Sequence, residues 1–136
     1  MIKRNYILLI ITFIAFVFST ACSTSNLNIA AKTIITAQEI YDATMKASAD
    51  AYAQGLIDDG AKLEIIVIGN LAHDSIALAQ AALITFVDAS TAENESKLNA
   101  ALSAVKDNLG ELISRAVALG VTLSDTITNY AGGGNE

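Results

Sequence analysis

Residues 61–87 read AKLEIIVIGNLAHDSIALAQAALITFV, and whether this stretch is strand or helix decides the fold. Ile65-Ile66-Val67-Ile68 has the composition of a buried strand. The apolar pattern does not stop there. Leu71, Ala72, Ile76, Ala79, Leu83 and Phe86 follow, mostly at three- and four-residue steps, the period of one helix face. A strand is over within a few residues, so the sustained period favours one long helix, with these side chains inward. Lys62, Asn70, His73, Asp74, Gln80 and Asp88 form the opposite, polar stripe. Residues 65–87 are long enough to cross a membrane. Asn70, His73, Asp74 and Gln80 lie inside that span, and an acidic residue at its centre costs about 2.5–3.5 kcal/mol on an insertion scale. The sequence therefore predicts a buried central helix.

The flanking segments repeat the helical period. Downstream, Ser90-Thr91-Ala92-Glu93 reads as a capping box, a hydroxyl at the helix start answered by a Glu three residues on. After it, Leu98, Ala101, Leu102, Val105, Leu109, Leu112, Ala116 and Leu119 make a stripe, with Lys97, Lys106, Asp107, Glu111 and Arg115 facing out. Gly120 is the expected stop, a short turn or helix is expected over 121–130, and the tail 131–136 should be loose. Upstream, Thr36-Ala37-Gln38-Glu39 is a second capping box. It predicts a helix over about 37–57, with Ile40, Tyr41, Thr44, Ala47, Ser48, Ala51 and Tyr52 on one face and Glu39, Asp42, Lys46, Asp50 and Gln54 on the other. Asp58-Asp59-Gly60 is the expected break. The second and third helices should each be about 40 Å long and antiparallel, since the link between them is short. The fold class is thus all-α: a three-helix antiparallel bundle, or a long helical hairpin with a packed first helix, over residues 36–130. Many interior positions are alanine, which lets backbones approach closely but leaves a thin core.

The chain carries one cysteine, no proline and no tryptophan, and a formal net charge of −6. An acidic body argues against nucleic acid and against lying flat on anionic lipid. A single cysteine excludes an internal disulfide, and the absence of proline suits long uninterrupted helices. That cysteine, Cys22, closes a secretion-type layout: Lys3 and Arg4, the apolar run 6–18, then Ser19-Thr20-Ala21-Cys22. The layout resembles the lipobox of bacterial lipoproteins. The resemblance implies a signal peptide over 1–21, cleavage between Ala21 and Cys22, and lipidation of Cys22 by a thioether-linked diacylglycerol. The new amino terminus would also be acylated, palmitate being the usual kind of chain. An ordinary signal peptide cut after Ala21 and an uncleaved anchor are the alternatives. Residues 22–35 then read as a lipidated, flexible tether. Ser23 after the cysteine, where an aspartate would resemble an inner-membrane retention signal, favours the outer membrane and its periplasmic face. The carboxyl terminus has no lysine for a Braun-type link to peptidoglycan.

The candidates for chemistry are few. His73-Asp74-Ser75 has the residue types of a hydrolytic triad, but neighbours on a helix point about 100° apart and cannot relay a proton among themselves. His73 is the only histidine. Asp58-Asp59 could attract a hard cation weakly but lacks the spaced ligands of a calcium loop. Asn94-Glu95-Ser96 matches a glycosylation sequon and reads as a polar first turn. Tyr41 and Tyr52 share a helix face and are expected to pack. No catalytic residue, metal site, cofactor or small-molecule substrate is expected.

The order of features resembles small, uncharacterised lipoproteins encoded in bacterial prophage regions. Gln38-Glu39-Ile40-Tyr41 matches their first helix, and residues 77–82 and 100–105, ALAQAA and AALSAV, match their alanine-rich helices. The resemblance implies no activity. Together the readings give a non-enzymatic, lipid-anchored envelope protein with a binding or structural role. Its partners would be the membrane, through Cys22, and a protein or a second copy, through the helical surface. The alternative is a phage-derived envelope factor that blocks a receptor or alters host susceptibility. Neighbouring phage tail or lysis genes would favour the alternative.

Overall fold

A computed structural model describes the backbone of residues 2–131 and the side chains of residues 26–131. Among these residues there are four helices and no strand: α1 (Ile2–Ala53), α2 (Asp59–Asp88), α3 (Ala92–Ala118) and α4 (Asp125–Ala131). The first three form an antiparallel succession. Met45 of α1 lies against Gly69 of α2, and Ala30 of α1 lies in one cluster with Phe86 of α2. Glu64 and Arg115 pair across α2 and α3, and Phe86 meets Leu98. α3 therefore runs parallel to α1, and α4 packs back on α3 through Ile127. The antiparallel helical bundle expected from the sequence is the fold observed.

The periodicity explains the packing. α2 buries Ile65, Gly69, Ala72, Ile76, Ala79 and Phe86, while α3 buries Leu98, Val105, Leu109, Leu112, Ile113 and Ala116. Apart from Ile113, these fall at three-, four- and seven-residue steps, the narrow seam of knobs-into-holes bundles. Ile65 to Ile68 are helical, as the longer period requires. Beside Ile34 and Ile40, α1 buries mostly small residues, Ala30, Ala37, Thr44, Ser48 and Ala51, so its backbone approaches its neighbours closely. A Cβ on Gly69 would fall 2.8 Å from the Met45 sulfur, a measure of how near α1 and α2 come. The buried Thr44 and Ser48 hydroxyls donate to the carbonyls of Ile40 and Thr44, each at 2.8 Å, so the polar atoms in this seam are satisfied.

The helix ends follow local chemistry, and several differ from expectation. α1 stops at Gly55, not at Asp58-Asp59-Gly60. Gly55 has φ +71, and the N–H groups of Gly55 and Leu56 bond the carbonyls of Tyr52 and Ala51, a Schellman closure. Asp58 instead opens α2, its carboxylate accepting from the Ala61 N–H at 2.8 Å. Thr91 rather than Ser90 caps α3, accepting from Asn94 N–H at 3.2 Å, while the Ser90 hydroxyl bonds back to Phe86. Gly120, at φ +100, ends α3 by the same closure as Gly55, as expected.

The largest correction concerns the start of α1. Residues 26–36 are helical, and Ala30 and Ile34 are buried, so the described part of the expected tether belongs to the bundle. The Thr36 capping box is not used. No glycine or proline interrupts the chain before Gly55, so nothing forces a helix end near residue 36. Ala30, Ile34 and Ala37 extend the buried seam four and three residues at a time. The side chains of Ala21 and Cys22, and the tail beyond Ala131, lie outside the described residues.

Candidate functional site

The residues with chemical potential are dispersed. Ser75 is buried and its hydroxyl donates to the Ala72 carbonyl at 2.7 Å, turned away from solvent. His73 and Asp74 are exposed, with Nδ1 and Oδ1 3.8 Å apart, and the imidazole leans on Tyr41 with ring centroids 5.7 Å apart. The fold thus separates the serine from the histidine and aspartate. Tyr41 titrates above its ordinary range, first because burial disfavours the phenolate and then because Asp42 and Asp74 repel it. Burial also raises Tyr130.

The two aspartates before α2 are each engaged in holding the turn. Asp58 caps the helix, and Asp59 accepts the Tyr52 hydroxyl at 2.7 Å. Lys62 lies over the Tyr52 ring, 3.9 Å from its centroid. Tyr41 and Tyr52 both pack against the core, as their shared face predicts. Asn94 donates to the Ala89 carbonyl at 2.8 Å and fastens the α2–α3 link. Among the described residues no group of three His, Cys, Asp or Glu converges on one point. A half-open cavity of about 300 Å³ lies between α1 and α2, walled by Met45, Ser48, Tyr52, Ile57, Lys62 and Ile65.

The surface feature that stands out is on α2. Leu63, Val67, Leu71 and Leu78, at steps of four, four and seven, form an outward stripe, each more than half exposed. Ile66 and Ile84 flank it, also exposed. Single exposed apolar residues are ordinary; a row of them along one helix leaves a stretch of apolar surface in water. The periodicity predicts Leu71 in the core; it is 54 % exposed. Asn70 and Asp74 sit inside the stripe and keep it from being wholly apolar. By length and composition α2 could cross a membrane, yet a third of its most apolar window is buried inside the bundle.

The geometry defines an all-helical antiparallel bundle with an apolar outer stripe on its central helix. Compared with known proteins, the chain matches no family model, no curated protein and no solved structure.

Proposed function

We propose that this chain is a lipid-anchored bacterial envelope protein with a non-catalytic binding role. The anchor is Cys22, acylated after cleavage following Ala21, and the compartment is the periplasmic face of the outer membrane. The observation that carries the binding role is the exposed row Leu63, Val67, Leu71 and Leu78. A helix that presents leucines to solvent along four turns leaves apolar surface in water, and a protein partner with a matching helix or groove relieves that cost at about 25 cal/mol per Å² covered. The lipid supports the same role, because an anchored protein meets its partners within one membrane plane.

Photo-crosslinking in cells tests the reading. A benzophenone side chain in place of Leu71 is expected to give adducts of defined mass, and the same probe in place of Lys106, exposed on α3, is not. Equal adduct patterns from both positions, or none from position 71, would overturn it.

A further inference from the structure

The first helix is unbroken from position 22 into the packed bundle. Its backbone is helical from Ile2 to Ala53, so position 22 belongs to the same helix as the packed residues 26–53. Ala30, the first buried residue described, lies about 12 Å along the axis from Cys22 at 1.5 Å per residue. Between them stand Leu27, packed beside Phe86 and Leu98, and Asn26, whose amide donates to Glu95 at 3.3 Å. The helix is thus pinned to α2 and α3 within two turns of the anchoring position. It does not swing on a loop.

That end of the bundle has its own small apolar cluster of Ala30, Phe86 and Leu98, separate from the main core. Around it, Ile84 and Val87 at the end of α2 are 62 % and 59 % exposed. Val87 lies five helical turns beyond Gly69, the residue that meets Met45, and so on the side of α2 that faces α1. The acidic groups Asp88, Glu93 and Glu95 ring the same end, with only Lys97 paired to Glu93. Like-charge repulsion therefore disfavours an anionic surface against this end.

We infer that the Phe86–Leu98 end of the bundle rests directly on a zwitterionic lipid bilayer. Ile84 and Val87 reach its interfacial layer, and α1 acts as a stiff post rather than a tether. This rests on the lipid-anchor reading above. The opposite end, with residues 54–58 and 119–124, then projects roughly 40 Å into the aqueous phase, the length of α3. The α2 stripe stands upright between the two, facing sideways toward partners in the same membrane.

The test uses the full-length protein, purified in its mature form and reconstituted in phosphatidylcholine vesicles. A fluorophore is attached to Val87→Cys or, separately, to Gln54→Cys at the far end. Quenching by spin-labelled lipid is expected to be several-fold stronger at position 87 than at 54. Inserting Gly-Ser-Gly-Ser between Ser25 and Asn26 should erase most of the difference. Equal quenching at 87 and 54 in an acylated protein would overturn the upright mount while leaving the anchor standing. A mass showing no acyl group on Cys22 would overturn both.

Discussion

Leu109→Ala is the sharpest probe of the bundle. Leu109 is fully buried at the middle of α3, in one cluster with Val105, Leu112, Ile113, Ile76 and Ile65. Truncation removes three buried carbons, about 2.4 kcal/mol at roughly 0.8 kcal/mol each. The cavity left behind adds to this, and buried Leu→Ala changes cost about 2.7–5.0 kcal/mol in all. The seam of α1 is mostly small and α2 is held by both α1 and α3, so little can collapse into the gap, and about 3–4 kcal/mol is expected. A shift of 1 kcal/mol moves Tm by about 4–8 °C in a domain of this size, so Tm should fall by more than about 10 °C. Leu109→Asp should abolish the cooperative transition, since an unpaired buried carboxylate costs several kcal/mol more. Lys106→Asp, on the exposed face three residues earlier, should stay within about 0.5 kcal/mol of wild type. Thermal melts of the detergent-solubilised protein followed by circular dichroism at 222 nm give the answer. If Leu109→Ala and Lys106→Asp both melt like wild type, α3 does not pack by this stripe and the bundle is wrong.

Two glycines should respond in opposite directions. Gly110→Ala adds a methyl that meets nothing within 4 Å on a helical backbone, and should raise stability by about 0.5–1 kcal/mol. Gly120→Ala forces a side chain onto φ +100 and should lower it by about 1–2 kcal/mol, both read from Tm. For pH, the Arg115 hydrogen bond holds Glu64 below its ordinary value of 4.5, so the folded form keeps this group charged more readily than the unfolded chain does. The contribution is present above that value and is lost as pH falls through the lower folded one. Tm of wild type should therefore fall more steeply than that of Glu64→Gln on acidification below pH 4.5, and parallel curves would count against the pair. Because both groups are exposed, the difference will be small and salt-sensitive.

Most of the bundle was legible because its determinants are local and periodic. The stripe from Leu98 to Ala116 could be read directly, and the length of the pattern after Ile68 decided helix over strand. What escaped was punctuation. Thr36-Ala37-Gln38-Glu39 has the letters of a capping box, but a box starts a helix only where the preceding backbone leaves it, and nothing before Thr36 makes it leave. Asp58-Asp59-Gly60 is the more conspicuous break in the sequence, although only Gly55 takes the positive φ that closes α1. The α2 stripe was hidden for another reason. Apolar residues surround this helix on nearly every side, so period alone could not say that Ile76 is buried and Leu71 is not. That depends on where α1 and α3 lie, which is tertiary information. The burial of Ile113, one residue beyond the Leu112 of the stripe, depends on the same tertiary placement.

The central claim is the anchor, and the intact mass of the protein isolated from bacterial membranes tests it most directly. The account predicts a chain beginning at Cys22, heavier than its peptide mass by a diacylglycerol and an amide-linked acyl group, and labelled by a fatty-acid probe. Cys22→Ser should remove the label, because the thiol is the acceptor atom, and leave an uncleaved or mislocalised precursor. A chain that keeps residues 1–21 with a free thiol, or one labelled equally in wild type and Cys22→Ser, would contradict it.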